Sequence, residues 1–209
     1  MRAAELVTLL GDALPRLAEH EGELRDLDAA LGDGDLGITV RAGANAVTAA
    51  LAVLPADATL AVVVKTAGTA FAAANPSTFA ALVGGGLLAG SKTLVDVESM
   101  DKTDALRLAR AVADRIAERG KAQLGDKTVL DALLPSLDTL ETAEGDAAAV
   151  VTAMAAVARE RVAATEALQS ARGRAAWVGE RSVGHADPGA TAYAILLEQL
   201  AHALGGPDE

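Results

Sequence analysis

Three aspartates, Asp28, Asp33 and Asp35, follow one another in the pattern D-x-x-x-x-D-x-D, with Gly32, Gly34 and Gly37 set among them. Carboxylates at this density repel one another unless a cation neutralises them. The glycines let the backbone turn the carboxylates toward one point and leave room for a bulky ligand. Hard oxygen donors select Mg²⁺, Mn²⁺ or Ca²⁺ over a soft metal. An EF-hand loop counted from Asp33 fails, because Gly37 falls at position 5 and Ala44 at position 12, where oxygen ligands are required. Mg²⁺ shared with phosphates is the better reading. The plain alternative is a solvated turn, since Asp and Gly dominate turns anyway.

Three other stretches could carry chemistry. In Asn75-Pro76-Ser77-Thr78, Ser77 is a good N-cap, and the free N–H groups of a helix start attract anions. A plain cap would use the same residues. The stretch from Gly85 to Thr93 nearly spells a P-loop, but Ser91 stands where the lysine is required. It also falls at the end of a predicted helix, so small residues packed against a neighbour are the expectation there. Between Gly173 and Gly189 lie Arg174, Arg181, the sole tryptophan Trp177, His185 and Asp187. An arginine fork suits phosphate, and His185 beside Asp187 suggests an oriented imidazole. A G-x-S-x-G nucleophile elbow is absent. A loop braced by its own ion pairs would need the same residues.

The elements that position these loops read as helices. Hydrophobic residues make up 51% of the 209 residues but aromatics only 2%, so the core must be built from Ala, Leu and Val, which favours an all-α fold. Helical spacing predicts segments at 2–20, 21–31, 38–54, 58–74, 78–94, 101–119, 128–140, 146–171 and 188–204. The 58–74 segment is ambiguous, because Val62-Val63-Val64 also suits a strand. Gly120 is the expected stop of the sixth segment, and Pro188 the expected first turn of the last. Gly173 to Asp187 is expected to be loop, and Gly205 to Glu209 a frayed tail. No βαβ alternation is readable, and one domain over 1–209 is expected. The formal charge of −11 disfavours a nucleic-acid surface yet allows a nucleotide held through Mg²⁺. The absence of cysteine removes thiol chemistry and disulfides. No signal peptide or transmembrane stretch is read, so a cytoplasmic location is expected.

Four stretches together resemble the L subunit, or C-terminal nucleotide domain, of dihydroxyacetone kinases. They are Leu27 to Asp35, Gly125 to Leu133, Gly173 to Ser182 and Gly184 to Ala190, in that order along nearly the whole chain. The resemblance implies an eight-helix antiparallel barrel with ADP or ATP on the loops at one rim. It implies that Asp28, Asp33 and Asp35 bind two Mg²⁺ ions bridging the phosphates, with Ser77 and Thr78 at the phosphate loop. Gly120 and Val129 match positions flanking the adenine. Arg174 matches an arginine near the phosphates and is the implied catalytic residue, and Asp187 to Gly189 match the loop that closes over the nucleotide. Two positions depart from the family. Leu36 replaces a usual histidine, and Ala74-Asn75-Pro76-Ser77-Thr78 replaces Gly-Gly-x-Ser-Gly, which suggests a divergent branch acting on another small ketose or polyol.

The resemblance further implies a phosphotransferase subunit active only beside a partner. A separate K-type subunit binds the sugar, and a phosphotransferase-system protein is a candidate phosphoryl donor. ATP exchange, a permanently bound ADP and a homodimer are left open. The alternative is a non-catalytic nucleotide-sensing regulatory subunit. A fatty-acid kinase nucleotide domain would carry Pro-Asp-Gly-Asp-Thr-Gly in its aspartate loop, which does not stand here.

Overall fold

The computed structural model describes residues 1–205 and is all-helical, with no strand among the described residues. Nine α-helices stand in order among those residues: α1 (Ala3–Glu19), α2 (Glu21–Leu31), α3 (Leu36–Ala52), α4 (Leu60–Ala74), α5 (Thr78–Ser91), α6 (Lys102–Gly120), α7 (Leu130–Thr142), α8 (Ala147–Thr165) and α9 (Pro188–Ala203). The tail expected from Gly205 lies outside the described residues beyond its first position. Among the described residues, no helix is long and apolar enough to cross a membrane.

Local chemistry sets most boundaries. Thr59, Ser77, Asp101, Asp146 and Asp187 each cap a helix by accepting a first-turn N–H, and Pro188 occupies the first turn of α9. The Val62-Val63-Val64 ambiguity resolves as helix α4. Leu60, Val63, Val64, Ala67 and Phe71 are buried at helical spacing, and Thr59 supplies the start signal.

Three expectations need correction. Gly120 stays helical, and Lys121 takes the left-handed position at φ 50° that the glycine would be expected to fill. Helix α8 stops at Thr165 rather than near 171, because the chain there turns to bond with distant loops. The stretch after Gly173 is not featureless loop: Arg174–Ser182 forms 3₁₀ turns, kinked at Gly179 with φ 58°.

Each helix from α3 to α9 packs on the next, α1 packs on α3, and α9 returns to α1, so the order of neighbours closes. Helix α2 lies against α3. Two apolar clusters result. One gathers buried residues of α1 to α5, and the other those of α6 to α8. Helix α9 serves both, with Ala192 and Ile195 in the first and Ala190, Ala194 and Leu197 in the second. Burying each Leu or Ile contributes about 1.5–3 kcal/mol. The Gly85–Thr93 stretch lies largely within α5, where small residues serve close packing. A Cβ on Gly84 would fall 2.6 Å from the Gly68 carbonyl of α4, and one on Gly90 2.6 Å from Leu108 of α6. No strand leads into this stretch, so the P-loop context fails.

Candidate functional site

The aspartate loop joins α2 to α3. The Gly32 N–H closes α2 by donating to the Asp28 carbonyl at 2.6 Å. Gly34 then takes φ 75°, a conformation that L side chains rarely adopt. Asp35 opens α3, its carbonyl accepting the Thr39 N–H at 2.9 Å. The Leu36 N–H donates to Asp28 Oδ2 at 3.1 Å, which pins the first carboxylate to the start of the next helix. Gly37 allows this closeness: a Cβ there would lie 2.1 Å from the Glu21 carbonyl oxygen and 2.8 Å from the Arg25 nitrogen. Helices α2 and α3 therefore touch backbone to backbone. Leu36, which stands where the family's histidine would, points into the core.

One carboxylate oxygen from each of Asp28, Asp33 and Asp35 lies within 4.8 Å of the others. Burial pushes the Asp28 carboxyl above its ordinary range, and the charges of Asp35 and Asp33 add to the shift against its hydrogen bond from Leu36. The Arg174 guanidinium reaches this cluster. It donates to Asp33, and to Asp35 Oδ2 at 3.1 Å. One guanidinium leaves three carboxylates under-neutralised. A donor set made only of carboxylate oxygens, with Asp33 exposed and Asp28 and Asp35 half-buried, fits a hard divalent cation.

The second loop is tied to the first. Ser77 caps α5, its Oγ accepting the Ala80 N–H at 3.0 Å, so the N-terminal end of α5 is ordered with Thr78 exposed beside it. Asn75 Nδ2 donates to Thr39 Oγ1 at 2.7 Å. Thr39 is buried one turn beyond Asp35 on α3, so this bond fastens the start of α5 to the helix that opens on the aspartate. Such a helix start is suited to an anion.

Three of the other expected residues lie near α5. A Cβ on Gly120 would meet Leu82 at 3.7 Å, and one on Gly189 would meet Phe79 at 3.5 Å and Val129 at 3.6 Å. Phe79 and Leu82 lie three residues apart on α5, so Gly120 sits near one and Gly189 and Val129 near the other. Asp187 is placed differently from a surface ligand. Its carboxylate turns inward to cap α9, accepting the Ala190 N–H at 2.6 Å, while its own N–H donates to Thr165 Oγ1 at 2.8 Å. Burial pushes this carboxyl up to about 7, the Asp131 charge adds to the shift, and the Ala190 hydrogen bond and Lys127 oppose it. His185 is exposed, so an imidazole oriented by Asp187 is not what the loop builds.

Several participants were not read from sequence. Asn75 and Thr39 are joined across 36 residues, which no local pattern reveals. Asp131 accepts the N–H groups of Gly125 at 2.6 Å and Thr128 at 2.7 Å. The Thr128-x-x-Asp131 spacing carries that signal, being the capping pattern of a helix start.

Comparison with known proteins bears on this arrangement. Residues 30–202 match the DAK2 domain. The chain is 34% identical over 192 residues to the ADP-binding subunit DhaL of PEP-dependent dihydroxyacetone kinase 1 of Listeria innocua, covering 91% of each. It is 36% identical over 204 residues to the L-erythrulose 1-kinase of Mycolicibacterium smegmatis, but spans only 36% of that longer enzyme. Among solved structures, the dihydroxyacetone kinase from C. freundii in complex with AMP-PNP and Mg²⁺ is similar in fold, with a TM-score of 0.77 and 24% identity over 97% of this chain and 34% of that one.

Proposed function

The chain belongs to the DAK2 domain family, that of the L subunits of dihydroxyacetone kinases, and from that premise we propose that it is the nucleotide-holding subunit of a two-component ketose kinase. The observation that carries this reading is the convergence of Asp28, Asp33 and Asp35 within 4.8 Å, with Arg174 directed at them. The closed order of helix neighbours supports an eight-helix barrel, and the chain 1–209 is read as one domain. The three carboxylates would hold Mg²⁺, two ions by the family's pattern, together with ADP or ATP. When bound, Mg²⁺ supplies charge neutralisation and orientation of phosphate oxygens.

The chain's own residues divide the remaining work. Ser77 and Thr78 present the start of α5 to phosphate. Gly120, Val129 and Gly189, near Phe79 and Leu82, are the positions assigned to flank the adenine. Asp187 holds Gly189 in place as the α9 cap. Arg174 would move from carboxylate to phosphate oxygens and stabilise charge on the transferred group. Phosphoryl transfer needs this positioning and neutralisation more than a covalent protein group.

A ketose site is not part of this set. The erythrulose kinase is nearly three times as long as its matching part, whereas the Listeria subunit matches over nine-tenths of its length. By likeness to the Listeria ADP-binding subunit, the sugar is assigned to a K-type unit outside these residues, with the phosphoryl donor either ATP or a phosphotransferase-system protein, and the assembly is assigned to the cytoplasm. The test is reconstitution. The purified chain with ATP and Mg²⁺ should leave dihydroxyacetone and erythrulose unphosphorylated, and addition of a K-type subunit from the same cell extract should start turnover. Turnover of free ketose by the chain alone would overturn the division of labour.

A further inference from the structure

Lys127 is buried to 1% exposure, and nothing in the proposed site uses it directly. A lysine is rarely buried so fully, and it adopts φ 60°, a backbone conformation uncommon outside glycine. Two departures from preference at one residue call for a compensating contact. The ammonium donates to the carbonyl of Leu168 at 3.0 Å and to that of Ser182. These two carbonyls are the two ends of the segment that carries Arg174.

The same turn grips the segment at further points. The Ala171 N–H donates to the Asp126 carbonyl at 3.0 Å, and Arg172 Nε donates to Asp126 Oδ2 at 2.9 Å. Across the base, the Ser170 N–H donates to Ser182 Oγ at 2.9 Å and the Gly184 N–H to the Glu166 carbonyl at 2.8 Å. Asp131 in turn fixes residues 125–128 through Gly125 and Thr128. Beyond Arg172 the segment leaves this support: Trp177 is 85% exposed, and Arg174 reaches across to Asp33 and Asp35. The segment is therefore a strap with a buried knot at its base and a tip that meets α2 and the aspartate loop.

We propose that Lys127 is a positioning residue for phosphoryl transfer, tying both ends of the 168–182 strap so that Arg174 is delivered to the aspartate cluster. It acts on the reaction through Arg174, without itself meeting the reacting groups. A methionine of similar length would fill the space but leave the Leu168 and Ser182 carbonyls without their shared donor, and the strap would open at its base. This assignment rests on the proposed function for its catalytic half, while the strap itself can be observed without nucleotide.

The chain carries its own probe, since Trp177 is its sole tryptophan and sits in the strap. In Lys127→Met, nucleotide-free, the nanosecond anisotropy of Trp177 should fall as the strap loosens; an unchanged decay overturns the proposal. In the reconstituted complex, Lys127→Met should lower kcat about 10-fold with little change in the nucleotide KM, as Arg174→Ala does. The double variant should be no slower than Arg174→Ala within about twofold, because residues acting through one another are not additive. Additive losses would make Lys127 structural only and overturn its positioning role. If Lys127→Met does not fold, hydrogen exchange on the unaltered chain decides. The amides of Ser170, Ala171 and Gly184 should be protected together with Gly125 and Thr128, well above those of 174–179; equal exchange at base and tip would contradict the knot. Anisotropy and exchange need no ligand, so failure of the strap and failure of the kinase reading give different results.

Discussion

Gly37→Ala asks how closely α2 and α3 must approach to assemble the aspartates. The added methyl would fall 2.1 Å from the Glu21 carbonyl oxygen, 2.8 Å from the Arg25 nitrogen and 3.0 Å from the Glu21 carbonyl carbon. All three are backbone atoms of α2 or its first turn, so no rotamer change relieves them, and the helix itself must shift. Overpacking of this kind costs about 1–3 kcal/mol, and the upper end applies where backbone is struck. Alanine returns up to about 1 kcal/mol of helix propensity. The net loss is about 2 kcal/mol, which for a chain of this size lowers Tm by about 4–8 °C. Gly11→Ala in α1 is the control, since nothing lies within 4 Å of its Cβ; it should raise Tm by about 2–4 °C through propensity alone. Differential scanning calorimetry reads both. Because Asp28 rides on α2 and Asp35 on α3, Gly37→Ala should also weaken Mg²⁺-ADP binding, whereas Gly11→Ala should not. A Tm for Gly37→Ala equal to or above that of the unaltered chain would refute the close approach.

Three more outcomes are expected of the site. Asp187 has its folded pKa raised to about 7 from 3.8, so the stability linked to it is complete below the ordinary value and lost as pH rises through 7. Urea unfolding between pH 4 and 7 should show stability from this group falling by up to about 1.4 kcal/mol per pH unit. Asp187→Asn, which keeps a capping oxygen, should flatten that slope; an unchanged slope would assign it elsewhere. Arg174→Ala should lower turnover of the reconstituted complex by at least about 10-fold, beside the ~10³ or more seen for arginine fingers, and Arg174→Lys should recover little. The same variant should bind Mn²⁺ alone more tightly by paramagnetic resonance, since the guanidinium now occupies Asp33 and Asp35. Weaker Mn²⁺ binding would contradict that competition.

Helix starts were legible because capping is local: Ser77, Asp146 and Pro188 each do what their types and neighbours dictate. The aspartate cluster was legible for a related reason, since mutual repulsion within one short loop needs no tertiary knowledge. Helix ends were less so. Lys121 rather than Gly120 turns left-handed, and α8 stops before its Ala-rich pattern does. The chain after Thr165 is taken by partners about forty or more residues earlier in sequence, among them Lys127 on Leu168 and the Asp126 carbonyl on Ala171. The same distance hid the Asn75–Thr39 bond. Trp177 shows the limit of composition: the largest apolar side chain of the chain stands in solvent on the strap rather than in the core.

The central claim is that Asp28, Asp33 and Asp35 hold nucleotide through Mg²⁺. Isothermal titration of the purified chain with ADP, with and without Mg²⁺, tests it directly beside Asp35→Ala. Asp35 contributes no side-chain cap to α3, so its replacement should leave the far-ultraviolet dichroism helical. The account predicts Mg²⁺-dependent ADP binding by the unaltered chain, lost or greatly reduced in Asp35→Ala at unchanged helicity. Binding that survives both magnesium removal and Asp35→Ala would contradict it.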